Sequence, residues 1–268
     1  MNTNKKDVHD FWNNASCGED LYLSDRSISS YIEQKEKRYE LEPYIRGFAD
    51  FESSKNKKVL EVGVGLGADH QGFAEHCNDL YGIDLTNRAI EHVKNRFNQL
   101  GLTSNLKTGD AEALDFPDNN FDIVYSWGVI HHSPNTAKAA SEIMRVLKPG
   151  GEFRVLVYHK YSLVGFMLWV RYALLKGKIN TSLEEIYSKY LESPGTKAYT
   201  VNEGKDLFKG ASKISVKSQL CFGDLLIGPV GQRHGGVLLR IVKTLYPRPL
   251  IRVLFKNYGL GLLIKGTK

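Results

Sequence analysis

The chain is expected to fold as an α/β protein, a doubly wound and mostly parallel sheet with a helical N-terminal extension and cap insertions. Three observations lead there. Short apolar runs alternate with helical segments between residues 57 and 159. The first apolar run opens into a turn with glycine at every second position, Gly63, Gly65 and Gly67. After His159 the alternation loosens into helical segments and two late strand-like stretches. With 268 residues and 42% hydrophobic content, the chain is long enough for one full core and a modest cap. The expected organisation is an extension over 1–54, a ligand-binding core over 55–159 and a cap with sheet-completing strands over 160–268.

Each element has a local cause. Residues 8–54 place Ile28, Tyr31, Ile32, Tyr39, Leu41, Tyr44, Ile45 and Phe48 at three- and four-residue spacings among charges, so they read as helices, with Pro43 breaking or starting one. Lys57–Val62 reads as a buried strand, and a helix follows the glycine turn from Ala68 to about Cys77. Asp79–Ile83 is the second strand, and Thr86 caps the helix that runs to about Leu100. Leu106–Thr108 and Phe121–Trp127 are the third and fourth strands. The helix Asn135–Leu147 is stopped by Lys148-Pro149-Gly150-Gly151, and Glu152–Tyr158 is the fifth strand. Residues 160–210 look helical, Ser212–Leu220 alternates like a strand, and Tyr258–Ile264 is a candidate for the last one. Strands separated by helices imply βαβ units and a sheet covered on both faces.

Composition narrows the class. Net charge is +6, with basic residues scattered apart from Lys55, Lys57, Lys58 and the C-terminal Arg240, Lys243, Arg248, Arg252 and Lys256. A mild excess of this kind serves solubility and suits an acidic acceptor or an anionic surface. Cys17, Cys77 and Cys221 are odd in number and far apart, which argues against a disulfide framework and for a reducing cytoplasm. No secretory signal pattern opens the chain, and no apolar run is long enough to span a membrane. The nearest, Ser162–Leu175, is interrupted by Arg171.

The glycine turn is ambiguous alone. Gly63, Gly65 and Ala68 satisfy a dinucleotide-binding fingerprint, and Asp84 at the end of the second strand suits ribose hydroxyls in either nucleotide family. Three features separate the alternatives. Glu61 precedes the first glycine by two residues, where an acid repels a pyrophosphate but favours an ammonium or sulfonium. Asp110, in Gly109-Asp110-Ala111-Glu112, is placed for the exocyclic amine of adenine, with the Ala111 N–H for a ring nitrogen. The segment 121–132 then leads into a helix ending at Lys148-Pro149-Gly150-Gly151.

With LEVGVGLG (60–67), YGIDLT (81–86), GDAEALDFPDNNFDIVYSWGVIHH (109–132) and IMRVLKPGG (143–151), the chain resembles the class I S-adenosylmethionine-dependent methyltransferases, in particular their ubiquinone-biosynthesis-like branch. The resemblance covers about two-fifths of the chain. It implies a seven-stranded sheet of order 3-2-1-4-5-7-6 with the last strand antiparallel. It implies S-adenosyl-L-methionine as cofactor, held by Glu61, Gly63, Gly65, Asp84, Leu85, Asp110 and Ala111, with the backbone near Ser126 and Trp127 beside the methionine part. The first 54 residues and the region 160–257 match no motif, so the acceptor is not implied.

Methyl transfer from a sulfonium asks the protein to align the acceptor, exclude water and, for some nucleophiles, remove a proton. His131 and His132 follow the fourth strand at the carboxyl edge of the sheet, where ligands of such folds bind, and are candidate bases, His132 preferred. His159, at the end of the fifth strand, is the next candidate, and His234 in a glycine-rich stretch is a weaker one. No histidine–carboxylate spacing in the sequence suggests a metal site. The expected acceptor is a small molecule, a saccharide or a lipid-linked compound, methylated at O, N or C. Peripheral membrane contact through 162–175, 237–245 and 250–255 would suit the last of these. The alternatives are a non-catalytic cofactor-binding protein, an RNA or protein methyltransferase (disfavoured by the lack of a nucleic-acid module) and a nicotinamide oxidoreductase.

Overall fold

A computed structural model describes residues 4–228 and 243–268. Four helices precede the sheet: α1 (Lys5–Asn14), α2 (Glu19–Tyr22), α3 (Ile28–Leu41) and α4 (Tyr44–Ala49), with Pro43 at the N-cap of the last. The α1 start is fixed by a capping box, in which Asn4 accepts from the Asp7 N–H and Asp7 accepts from the Asn4 N–H. Then come β1 (Lys58–Val62), α5 (Ala68–Ala74), β2 (Asp79–Asp84), α6 (Asn87–Leu100), β3 (Asn105–Thr108), β4 (Phe121–Trp127), α7 (Thr136–Val146) and β5 (Leu147–Tyr158). The cap contributes α8 (Leu163–Tyr172), α9 (Leu183–Tyr190) and α10 (Val201–Leu207). The chain closes through β6 (Lys213–Gln219), α11 (Arg248–Leu254) and β7 (Gly261–Thr267).

The strands form one seven-stranded sheet in the order β3-β2-β1-β4-β5-β7-β6. β1 to β5 run parallel, and β7 is antiparallel to both its neighbours, β5 and β6. The sheet therefore has the expected order and the expected reversed strand. Its central strands are apolar on both sides because both faces are covered. One face packs Leu60, Val124, Phe153 and Val155 against Ala139, Ile143 and Val146 of α7. The other packs Val59, Ile123 and Tyr125 against Phe73 of α5 and Ile90, Val93 and Phe97 of α6. The Thr86 hydroxyl accepts from the Ala89 N–H at the start of α6, as its position suggested, and Gly101 ends that helix in the left-handed region at φ 66°.

The last strand begins later than the apolar pattern suggested, at Gly261 instead of Tyr258. Residues 258–260 are engaged elsewhere. The Tyr258 carbonyl accepts from the Leu163 N–H at the head of α8 (2.8 Å), and the Leu260 N–H donates to Asp224 (2.7 Å). His234 and most of the segment 237–245 lie outside the described residues.

Candidate active site

The carboxyl ends of the parallel strands open into a cavity of about 860 Å³. Glu61, Gly63, Gly65, Asp84, Leu85, Asp110, Ala111 and Trp127 all line it, so the residues expected to touch a cofactor share one wall. They arrive there because β1, β2, β3 and β4 end side by side, and a parallel sheet places the loops after its strands on one edge.

The glycines divide their work. Gly63 has φ +86°, and a Cβ there would collide with the Val129 side chain, so this position serves packing between the turns after β1 and β4. Gly65 also needs a left-handed backbone, at φ +50°, but a Cβ there would meet nothing within 4 Å. Its open side faces the cavity it lines.

Each acid has a distinct environment. Asp84 accepts from the Thr86 N–H (3.0 Å), the Thr86 hydroxyl (2.9 Å) and the Gly65 N–H (3.2 Å), and so ties the glycine turn to β2. Asp110 accepts from the Glu112 N–H (2.9 Å) and pairs with Lys5 of α1, which also reaches Glu112 at 3.1 Å. Glu61 is buried and 2.8 Å from His70 Nδ1. The Ser104 hydroxyl donates to the Leu80 carbonyl, so it accepts from His70 Nε2–H at 2.8 Å. A neutral His70 then offers Nδ1 as an acceptor, and Glu61 supplies the proton between them. The titration tendencies agree. Burial holds Glu61 well above the ordinary carboxylate range, and burial pushes His70 down to about 3. Nothing in the local sequence announced this pair, since His70 reads as an ordinary helix residue.

The N-terminal helices roof the cavity. Lys5, Val8 and Trp12 of α1 and Gln34 and Arg38 of α3 line it. Arg38 grips Asp69 of α5 with two hydrogen bonds (3.0 and 2.6 Å), and the Tyr125 hydroxyl donates to the same carboxylate at 2.8 Å. Glu19 anchors the extension to α6 through Arg88 (2.8 and 2.6 Å) and His92 (3.0 Å).

The candidate bases separate. His132 lines the cavity and sits edge-on to Trp12, with ring centroids 5.1 Å apart. Its Nε2 lies 3.3 Å from Glu192, a cap residue that also lines the cavity and accepts from the Tyr158 hydroxyl at 2.6 Å. Ser193 Oγ is 2.8 Å from His132 Nδ1. With a neutral ring, Ser193 donating to Nδ1 leaves Nε2–H directed at the carboxylate, whereas the opposite tautomer would set a lone pair against it. His131 does not line the cavity. It is fully buried between His132 and Tyr158, at ring-centroid distances of 4.1 and 4.0 Å, with neither nitrogen hydrogen-bonded. His159 is also turned away, its Nδ1 3.2 Å from the Gly259 carbonyl. Of the three histidines, His132 alone is thus placed to reach a ligand.

Sequence spacing also concealed a carboxylate beside the histidine pair. His131, His132 and Glu192 offer one ligand atom each, all within 4.8 Å of one another. The two histidine rings lie with their centroids 4.1 Å apart at a tilt of 46°. His132 and Glu192 are occupied by Ser193 and Tyr158.

Residues 60–155 match the family model of a methyltransferase domain. That segment contains the glycine turn, the three acids and the histidine pair. The chain carries a class I methyltransferase domain. S-adenosyl-L-methionine is the cofactor of this family, and the wall of the cavity suits it: acids at 61, 84 and 110, an unobstructed turn at Gly65 and the Trp127 ring. The chain is 34% identical over 103 residues to an uncharacterized methyltransferase, YcgJ, of Bacillus subtilis, covering 38% of this chain and 40% of that protein. It is 33% identical over 109 residues to a phosphatidylethanolamine N-methyltransferase of Cereibacter sphaeroides, covering 40% and 53%. It is 27% identical over 164 residues to a ubiquinone biosynthesis O-methyltransferase of Coxiella burnetii, covering 59% and 63%. The matches thus span less than two-thirds of each of these relatives. Among solved structures, the fold is shared with a Haloferax volcanii putative methyltransferase in complex with the Trm112 activator (TM-score 0.60, 16% identity, 97% and 96% covered). It is also shared with YcgJ (TM-score 0.53, 19% identity, 85% and 98% covered). The methyltransferase domain accounts for the cofactor wall; the roof and the Glu192 side lie outside the matched segment.

Proposed function

We propose that the protein transfers a methyl group from S-adenosyl-L-methionine to a small-molecule or lipid-linked acceptor. One observation supports this above the rest: Glu61, Asp84 and Asp110 line the same cavity wall as the glycine turn, while a His132–Glu192–Tyr158 cluster lies on the cap side. Asp84 and Asp110 would accept from ribose hydroxyls and the adenine amine, while Glu61, protonated against His70, lines the same wall. When bound, the cofactor supplies a methyl group on a sulfonium that is already electrophilic.

The chain's own residues then do three things. The roof of α1 and α3 excludes water, which strengthens every charge interaction inside. The Tyr158 hydroxyl fixes the Glu192 carboxylate at 2.6 Å, and Ser193 fixes the His132 ring. Glu192 receives the proton that an oxygen or nitrogen acceptor gives up, with the His132 Nε2–H held against its carboxylate.

An acceptor with a hydrocarbon portion fits the cavity best, because Leu163, Val164, Met167 and Val170 of α8 and Leu226 and Leu260 line its other side. Some relatives are named for lipid and quinone acceptors, among them the phosphatidylethanolamine and ubiquinone-biosynthesis enzymes. Peripheral contact with a membrane belongs to the same proposal.

Calorimetry with S-adenosylhomocysteine and, separately, with NAD tests the first half. Tight binding of the former and none of the latter is expected. Transfer of tritium from labelled S-adenosylmethionine into a lipid or metabolite extract tests the second. No retention of either cofactor form would remove the proposal; retention without transfer would leave a cofactor-binding protein only.

A further inference from the structure

We propose that the free end of α8 and the segment 174–179, together with α11, dock on an anionic lipid bilayer, and that the acceptor enters the cavity from that bilayer. The inference rests on the methyl-transfer proposal only for the identity of what enters.

A helix inside a globular cap normally hides its apolar side chains, yet α8, which buries Leu168, leaves others bare. Phe166 and Val170 of α8 are exposed, and after the helix the chain continues Leu174-Leu175-Lys176-Gly177-Lys178-Ile179 with Leu175 69% and Ile179 61% exposed. On α11, Val253 is 71% and Leu254 61% exposed, beside Leu250 and Phe255. Single exposed apolar residues need no explanation, but two elements doing this together do.

α8 lines the opening, and α11 is tied to the cavity wall. Phe166, Val170, Arg171 and Leu175 line the cavity while being exposed, so the cavity reaches the surface among them. Arg248 of α11 donates to the carbonyls of Leu225 (3.0 Å) and Leu226 (3.3 Å), and Leu226 is a cavity wall residue. Tyr258, just after α11, accepts from the first N–H of α8.

Charge selects the occupant. Neither the stretch 162–181 nor the stretch 243–268 contains an Asp or Glu. Interleaved with the apolar residues are the exposed Arg171, Lys176 and Lys178 on one element and Arg252 and Lys256 on the other. A two-fold dimer through this face would set these cations against their own copies. A bilayer with anionic headgroups takes both components, the cations at the phosphates and the apolar side chains at the acyl boundary. It would also deliver an apolar acceptor straight into the mouth of the cavity.

Co-sedimentation with vesicles tests this, using phosphatidylcholine alone and phosphatidylcholine mixed with phosphatidylglycerol. The wild-type chain is expected to pellet with the mixed vesicles, weakly with the neutral ones, and less as salt rises. Two double variants, L174E/I179E and K176E/K178E, change only exposed side chains, and each should partition at least ~10-fold more weakly. Binding of S-adenosylhomocysteine and the thermal melt, measured on the same preparations, should be unchanged. Wild-type protein that ignores anionic vesicles, or variants that bind as well as wild type, would overturn the proposal. So would a wild-type dimer in light scattering that the variants dissociate. Lost vesicle binding with cofactor binding intact leaves methyl transfer standing; the reverse leaves the docking face standing without it.

Discussion

At the level of single residues, the Glu61–His70 pair makes stability depend on pH in a direction unusual for a buried histidine. Folding raises the Glu61 affinity for a proton and lowers that of His70, down to about 3 against an ordinary 6.5. In the folded pair one proton is held. In the unfolded chain between the two ordinary values, 4.5 and 6.5, the histidine holds one and the carboxylate none, so the counts match and the pair contributes no slope. Above 6.5 the unfolded pair holds none while the folded pair still holds one, so stability falls as pH rises. Glu61→Gln keeps a donor to His70 and cannot ionise. In urea melts it should abolish the loss on the alkaline side and introduce one below 6.5, where only the unfolded histidine takes up a proton. An alkaline loss of the same size in both proteins would show that the pair does not share a proton. For Glu192→Gln, the expected outcome is tritium transfer reduced by about 100-fold with S-adenosylhomocysteine affinity unchanged. Undiminished transfer would take Glu192 out of the chemistry.

Among elements, α1 has the largest unforeseen role. The acids at 61, 84 and 110 were legible because each sits at a fixed offset from a strand end, a local pattern that survives in one sequence. Lys5 and Glu192 were not legible. They come from segments without a motif, and only the packing of the extension and the cap brings them to the cavity. His132 was preferred over His131 as a candidate base, and one turn of 3-10 helix, Ile130–His132, sends the His131 ring into the core and the His132 ring to the cavity. Deleting residues 1–17 removes the α1 part of the roof and no strand residue. Stopped-flow dissociation of S-adenosylhomocysteine should then speed up on the order of ten-fold or more, with the far-ultraviolet dichroism of the sheet retained. An unchanged dissociation rate would show that α1 does not gate the cavity.

Taken as a whole molecule, the fold was legible from the alternation of strands and helices alone, and the strand order followed from resemblance. What stayed hidden was the surface. Hydropathy flagged 162–175 as apolar, yet it cannot distinguish a cap helix packed on its neighbours from one left bare, because that depends on what the tertiary structure sets against it. Among the described residues no helix is long and apolar enough to cross a membrane.

The position of β7 carries a consequence for how the chain assembles. β6 is hydrogen-bonded into the sheet through β7, and β7 in turn zips against β5, from Glu152 opposite Thr267 to Tyr158 opposite Gly261. A strand that comes late in the sequence is thus a keystone inside one wing. On a growing polypeptide, β1 to β5 can pair while β6 waits with its backbone groups unpaired until residues 261–267 emerge and wedge between it and β5. Assembly of that wing is consequently delayed until β7 has been made, a period during which the waiting β6 strand is open to pairing with other chains.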